Sequence, residues 1–144
     1  MSSRGRKTTV PRRNTTQVYP PIVRATWFSL GAVLLAIAVA AGAFGAHALR
    51  SRLDVASLAV WETAVRYLAL GGLGLLATGL AARTRPSRGW TLAGTCLSTG
   101  ALFFSGTLAT LALGGPRWLG MVTPLGGLFL IVGFLAMALA AARR

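Results

Sequence analysis

Apolar residues fill four long runs, roughly Trp27–Ala48, Thr63–Ala82, Trp90–Leu113 and Pro124–Ala142, and polar residues collect in the gaps and before residue 25. A bilayer core of about 30 Å is crossed by about 20 apolar residues in a helix, and each run reaches that length. Nothing remains from which to build a water-soluble domain. The pattern predicts an all-α membrane protein: a four-helix transmembrane domain over residues 25–144, behind a basic tail at 1–24 without regular structure.

The gaps carry their own signals. In Leu53–Leu58, Asp54 is placed to cap free N–H groups, and Leu53 can pack on Leu58 as a hydrophobic staple. This predicts a short outer interfacial helix between the first and second spans, bending or continuing into the membrane. The charge-free stretch Tyr67–Ala82 holds only sixteen residues, about 24 Å of helix. A full crossing must therefore start near Thr63, which puts Arg66 in the outermost turn. Glu62 lies four residues earlier, the favoured order for an i,i+4 ion pair. Such a pair, near His47, would fix the first two helices where Gly42 and Gly45 allow close approach. Gly114-Gly115-Pro116 ends the third helix. Thr123 and Pro124 read as the N-cap and first residue of the fourth.

Fifteen Lys and Arg against two acids give a net charge of +13. In a soluble chain that would suggest nucleic acid. Here position explains it, and no nucleic-acid partner is expected. Arg4, Arg6, Lys7, Arg12, Arg13, Arg24, Arg83, Arg85, Arg88, Arg143 and Arg144 fall on one side of the spans, and Arg50, Arg52, Arg66 and Arg117 on the other. The positive-inside rule then places both termini in the cytoplasm, N-in and C-in, of a multi-pass protein of the cell membrane, the bacterial inner membrane. Trp27, Trp61, Trp90 and Trp118 each open a run, as expected of indole anchors at alternating interfaces. The first run is too long for a signal h-region and is followed by three more, so it reads as retained.

Candidate chemistry is sparse. Acid–base catalysis needs positioned titratable groups, and only His47, Asp54, Glu62 and Cys96 offer themselves. No P-loop, zinc or hydrolase motif is present, and no enzyme, metal or cofactor is expected. His47 is the one candidate ligand for a haem or chlorophyll metal, set against a hydrogen-bonded structural role. Cys96, the single cysteine, reads as a small buried packing residue.

Four short motifs carry a resemblance. Gly42-Ala43-Phe44-Gly45-Ala46-His47, Glu62-Thr63-Ala64-Val65-Arg66-Tyr67, Phe104-Ser105-Gly106-Thr107-Leu108 and Thr123-Pro124-Leu125-Gly126-Gly127 occur in order over residues 27–142. In this the chain resembles the YgdD/YwdK-like family of small integral membrane proteins, a domain-of-unknown-function family. The resemblance implies a compact four-helix protein and no established activity. That family's pattern continues after Arg-Tyr with a Gln and then a His, where this chain has Leu68 and Gly71. The basic tail is additional to the family core.

These readings favour a small accessory or structural subunit. It would pack in the lipid bilayer beside larger subunits of a membrane protein complex, with a respiratory or photosynthetic complex as a plausible host. Arg4, Arg6, Lys7, Arg12 and Arg13 would form a docking arm. The alternative is a small oligomeric transporter or channel, since polar residues inside membranes often mark pathways.

Overall fold

The computed structural model describes residues 21–142, with side chains from residue 26 onward. The chain folds as helices α1 (Pro21–Phe44), α2 (Val55–Thr84), α3 (Arg88–Ala112) and α4 (Leu119–Ala142). All four are long and apolar enough to cross a membrane. Their apolar residues run nearly all the way round, as expected where one side meets protein and the other lipid. The tail docking residues Arg4, Arg6, Lys7, Arg12 and Arg13 lie outside the described residues.

The helices run antiparallel, and small residues set each seam. A Cβ added at Gly79 would lie 2.6 Å from Phe28 N, and one at Gly31 would lie 2.6 Å from Gly72 O, so α1 and α2 meet backbone to backbone. Between α2 and α3, a Cβ at Gly71 would overlap that of Ala101. Between α3 and α4, Gly100 faces Leu130 N and Gly126 faces Phe104 N at 2.7 and 2.6 Å. The seams follow chain order, α1 on α2, α2 on α3 and α3 on α4, and no extended seam joins α1 to α4. Leu34, Leu75, Leu97, Ala101 and Leu130 form the shared core. Cys96 is buried and free.

Several boundaries differ from the sequence reading. Of the two courses open to the outer interfacial helix, bending or continuing into the span, the chain takes the second: α2 runs unbroken from Val55 to Thr84. Thirty residues make about 45 Å of helix, longer than a bilayer core. The polar turns from Val55 are therefore the overhang of one long helix. The helix α4 begins at Leu119, and Pro124 lies inside it. Its first amides bond to the carbonyls of Pro116, Arg117 and Trp118, three residues back. Thr123 is consequently not an N-cap. Its hydroxyl lies 2.8 Å from Leu119 O and 3.1 Å from Thr107 Oγ1. Trp90 is only 6% exposed, so its indole is packed in protein rather than presented at an interface. Trp118, 57% exposed, is free to serve as an anchor.

Candidate functional site

The end of the bundle that holds the α1–α2 connection carries both acids and the histidine. There α1 passes into a π-helical turn, Gly45–Leu49, closed by Arg50 N on Gly45 O at 3.1 Å. Such insertions are frequent at functional sites. This one lets the chain widen beneath Trp61. A Cβ at Gly45 would lie 2.7 Å from the Trp61 Cδ1 and Nε1 atoms, so only glycine admits the indole here. Trp61 Nε1 donates to Ala41 O at 3.0 Å, and Phe44 lies 6.1 Å away, ring centre to ring centre. The indole thus fastens α2 to α1. At Gly42 the approach is looser, with Val65 at 3.6 Å from a notional Cβ.

Asp54 caps α2, its Oδ1 accepting from Ser57 N at 2.7 Å. The Ser57 backbone bond, with its hydroxyl contact next, holds the Asp54 carboxyl below the usual carboxylate range. A depressed folded-state pKa means that the cap stabilises α2 above the ordinary carboxylate value. That stabilisation is lost as pH falls through the lowered one. Asp54→Ala is expected to speed hydrogen exchange of the Ser57 amide at neutral pH, and Asp54→Asn much less so.

The expected Glu62–Arg66 ion pair is not formed. Both residues are exposed, and no carboxylate oxygen lies within 4.0 Å of a guanidinium nitrogen among the described residues. They flank a cleft of about 260 Å³ floored by Gly42, Gly45 and Ala46. An exposed pair would contribute only about 0–1 kcal/mol, too little to hold two long side chains together. His47 is exposed as well, and lines no part of that cleft. Trp61, not Arg66, joins the two helices, and the signal for it was Gly45 sixteen residues before an indole. Among the described residues, His, Cys, Asp and Glu do not gather in any group of three that could hold a metal.

Two of the four motifs act together in the interior. Thr107 and Thr123 form a buried hydroxyl chain that runs from the Phe103 and Phe104 carbonyls to Thr123 and Leu119 O, tying α3 to α4. Pro124 is exposed beside it. Ala101 and Leu130 already fill the space around Gly71, where the resemblance would lead one to expect a histidine. Leu68 packs against the core.

Two further cavities flank the bundle. One, about 250 Å³, lies among α1, α2 and α3 and is lined by Leu34, Leu68 and Ser105, whose buried hydroxyl is without a partner. The other, about 670 Å³, opens beside the α2–α3 connection and runs between α3 and α4 under Arg85 and Arg88.

Comparison with known proteins agrees with this architecture. The model of a family described as "Protein of unknown function (DUF423)" matches residues 41–127. A UPF0382 membrane protein of Staphylococcus saprophyticus is 44% identical over 111 residues, 76% of this chain and 91% of its own. The UPF0382 membrane protein YwdK of Bacillus subtilis is 36% identical over 115 residues, 79% of this chain and 94% of its own. A Staphylococcus aureus relative of the same description is 39% identical over 112 residues, 77% and 90% of the two chains. No solved structure matches. The chain belongs to this family, and like its relatives it is a membrane protein.

Proposed function

We propose that this DUF423 protein is a structural subunit that packs beside larger membrane proteins, with both termini on the cytoplasmic side of a bacterial inner membrane. The seam order supports this reading. Because the helices follow one another without an extended α1–α4 contact, α1 and α4 turn broad apolar flanks outward, with Val39 74% and Leu139 60% exposed. Glycine-tight seams leave an internal cavity of about 250 Å³ among α1, α2 and α3, whose lining is apolar apart from the Ser105 hydroxyl, a poor wall for a conduction path. Among the described residues the buried polar side chains are four hydroxyl groups, Thr78, Ser105, Thr107 and Thr123. Thr78, Thr107 and Thr123 are in hydrogen-bonding reach of neighbours within the fold. Hydroxyls bonded in this way fix helix packing and do not line an aqueous route.

The orientation follows the eleven basic residues on one side against four on the other and the positive-inside rule. The tail is the docking arm in this reading, since its charge exceeds what orientation requires. Deleting residues 2–18 retains Arg24, Arg83, Arg85 and Arg88. Insertion is therefore expected to survive, while co-purification of partner subunits in mild detergent falls. Unchanged co-purification would reduce the tail to an orientation signal.

A further inference from the structure

We propose that the groove between α3 and α4 is a binding site for one anionic phospholipid, with the phosphate held by Arg85 and Arg88. The groove measures about 670 Å³, within the range of small-molecule sites. Its mouth is the three-residue connection Arg85-Pro86-Ser87 and the first turn of α3. Its walls are apolar: Trp90 and Leu92 from α3, Leu135, Ala136 and Leu139 from α4. Gly89 and Ala140 line it as well and meet closely there, a notional Cβ on Gly89 lying 2.9 Å from the Ala140 Cβ. From Val132 to Ala140 it extends about 12 Å along α4, so it is charged at one end and greasy below.

Charge complementarity selects the occupant. Both arginines are exposed and have no ion-pair partner among the described residues. The two acids of the chain, Asp54 and Glu62, lie at the opposite end of α2. Arg83, by contrast, is engaged over the Phe28 ring at 5.2 Å. Ser87 makes no side-chain cap, so the first amides of α3 add their positive end to the same mouth. Two guanidinium forks over an apolar trough suit a phosphodiester with its acyl chain below. A soluble phosphate would leave the trough unused, and a zwitterionic choline headgroup would bring a cation against two arginines. The site does not depend on the subunit role proposed above. With both termini cytoplasmic it faces the leaflet where basic segments meet anionic lipid.

Native mass spectrometry of the purified full chain in detergent tests this, with phosphatidylglycerol, phosphatidylcholine and glycerol phosphate added separately. Phosphatidylglycerol is expected to stay bound, and the other two are not. Arg85→Gln or Arg88→Gln should each weaken binding about fivefold, and the double variant about thirtyfold. Leu139→Trp, which narrows the trough and leaves both charges, should also weaken it. All three side chains are exposed, so the lipid-free thermal midpoint should not move and folding is controlled for. Deleting residues 2–18 should leave the binding intact. Undiminished phosphatidylglycerol binding by the double variant would overturn the proposal. So would its loss on deleting the tail, or equal retention of phosphatidylcholine.

Discussion

Gly126→Ala is expected to destabilise the protein by about 1–3 kcal/mol or more, through a single added methyl group. The new Cβ would lie 2.6 Å from Phe104 N and 2.8 Å from its Cα. Both are backbone atoms in the middle of α3, so no rotamer change relieves the overlap, and α3 and α4 must move apart along their whole seam. Gly100 on the facing helix is hemmed in by Leu130 N and Gly126 O in the same way. Separation would also break the Thr123–Thr107 contact at 3.1 Å. Gly106→Ala is the matched control on α3. Nothing lies within 4 Å of its notional Cβ, and alanine is favoured over glycine in a helix by up to about 1 kcal/mol. Circular-dichroism melts in detergent should therefore show a clear fall in midpoint for Gly126→Ala and no fall, or a small rise, for Gly106→Ala.

The second large effect concerns Gly71, and here repair is possible. Its notional Cβ collides with the Ala101 side chain and lies 3.5 Å from the Ala101 Cα. Gly71→Ala alone should cost about 1–3 kcal/mol. Ala101→Gly alone should cost less, through a small cavity and the helix penalty of glycine. Combining the two restores one methyl group at the crossing, so the double variant should be more stable than the sum of the single losses implies. A coupling near zero in the double-mutant cycle would mean that α2 and α3 do not meet at this point. The same crowding bears on the family resemblance. A histidine at position 71, as in the family pattern, needs a wider α2–α3 crossing than Ala101 permits.

The four spans were legible because a bilayer demands long apolar runs, and nothing else in the chain imitates one. Their ends were not. Whether the helix from Val55 to Glu62 bends or continues into the span could not be read, because polarity marks where the membrane ends, not where the hydrogen-bond ladder ends. Thr123-Pro124 looked like a helix start because proline is tolerated in any first turn. Here the first turn lies upstream, held by bonds from Leu119, Gly120 and Met121 to carbonyls three residues back. At the α1–α2 rim, charge drew attention to Glu62 and Arg66. Yet exposed charges bind weakly, and the fastening is the Trp61 indole on Ala41 O and over Gly45. Trp90 misled for a related reason: a tryptophan near a helix end suits an interface, but here it is only 6% exposed and packed in protein. The groove beneath Arg85 and Arg88 could not be read at all, since it depends on how α3 meets α4.

If the proposed subunit role is right, this protein works as a part of something larger. The direct measurement is the native mass of the full chain after gentle extraction from its own membrane, with no overexpression. The account predicts that most of the chain travels with larger membrane subunits at fixed stoichiometry, and that removing residues 2–18 shifts it to the free form. A chain that runs entirely alone or only with its own copies, tail present or absent, would contradict it.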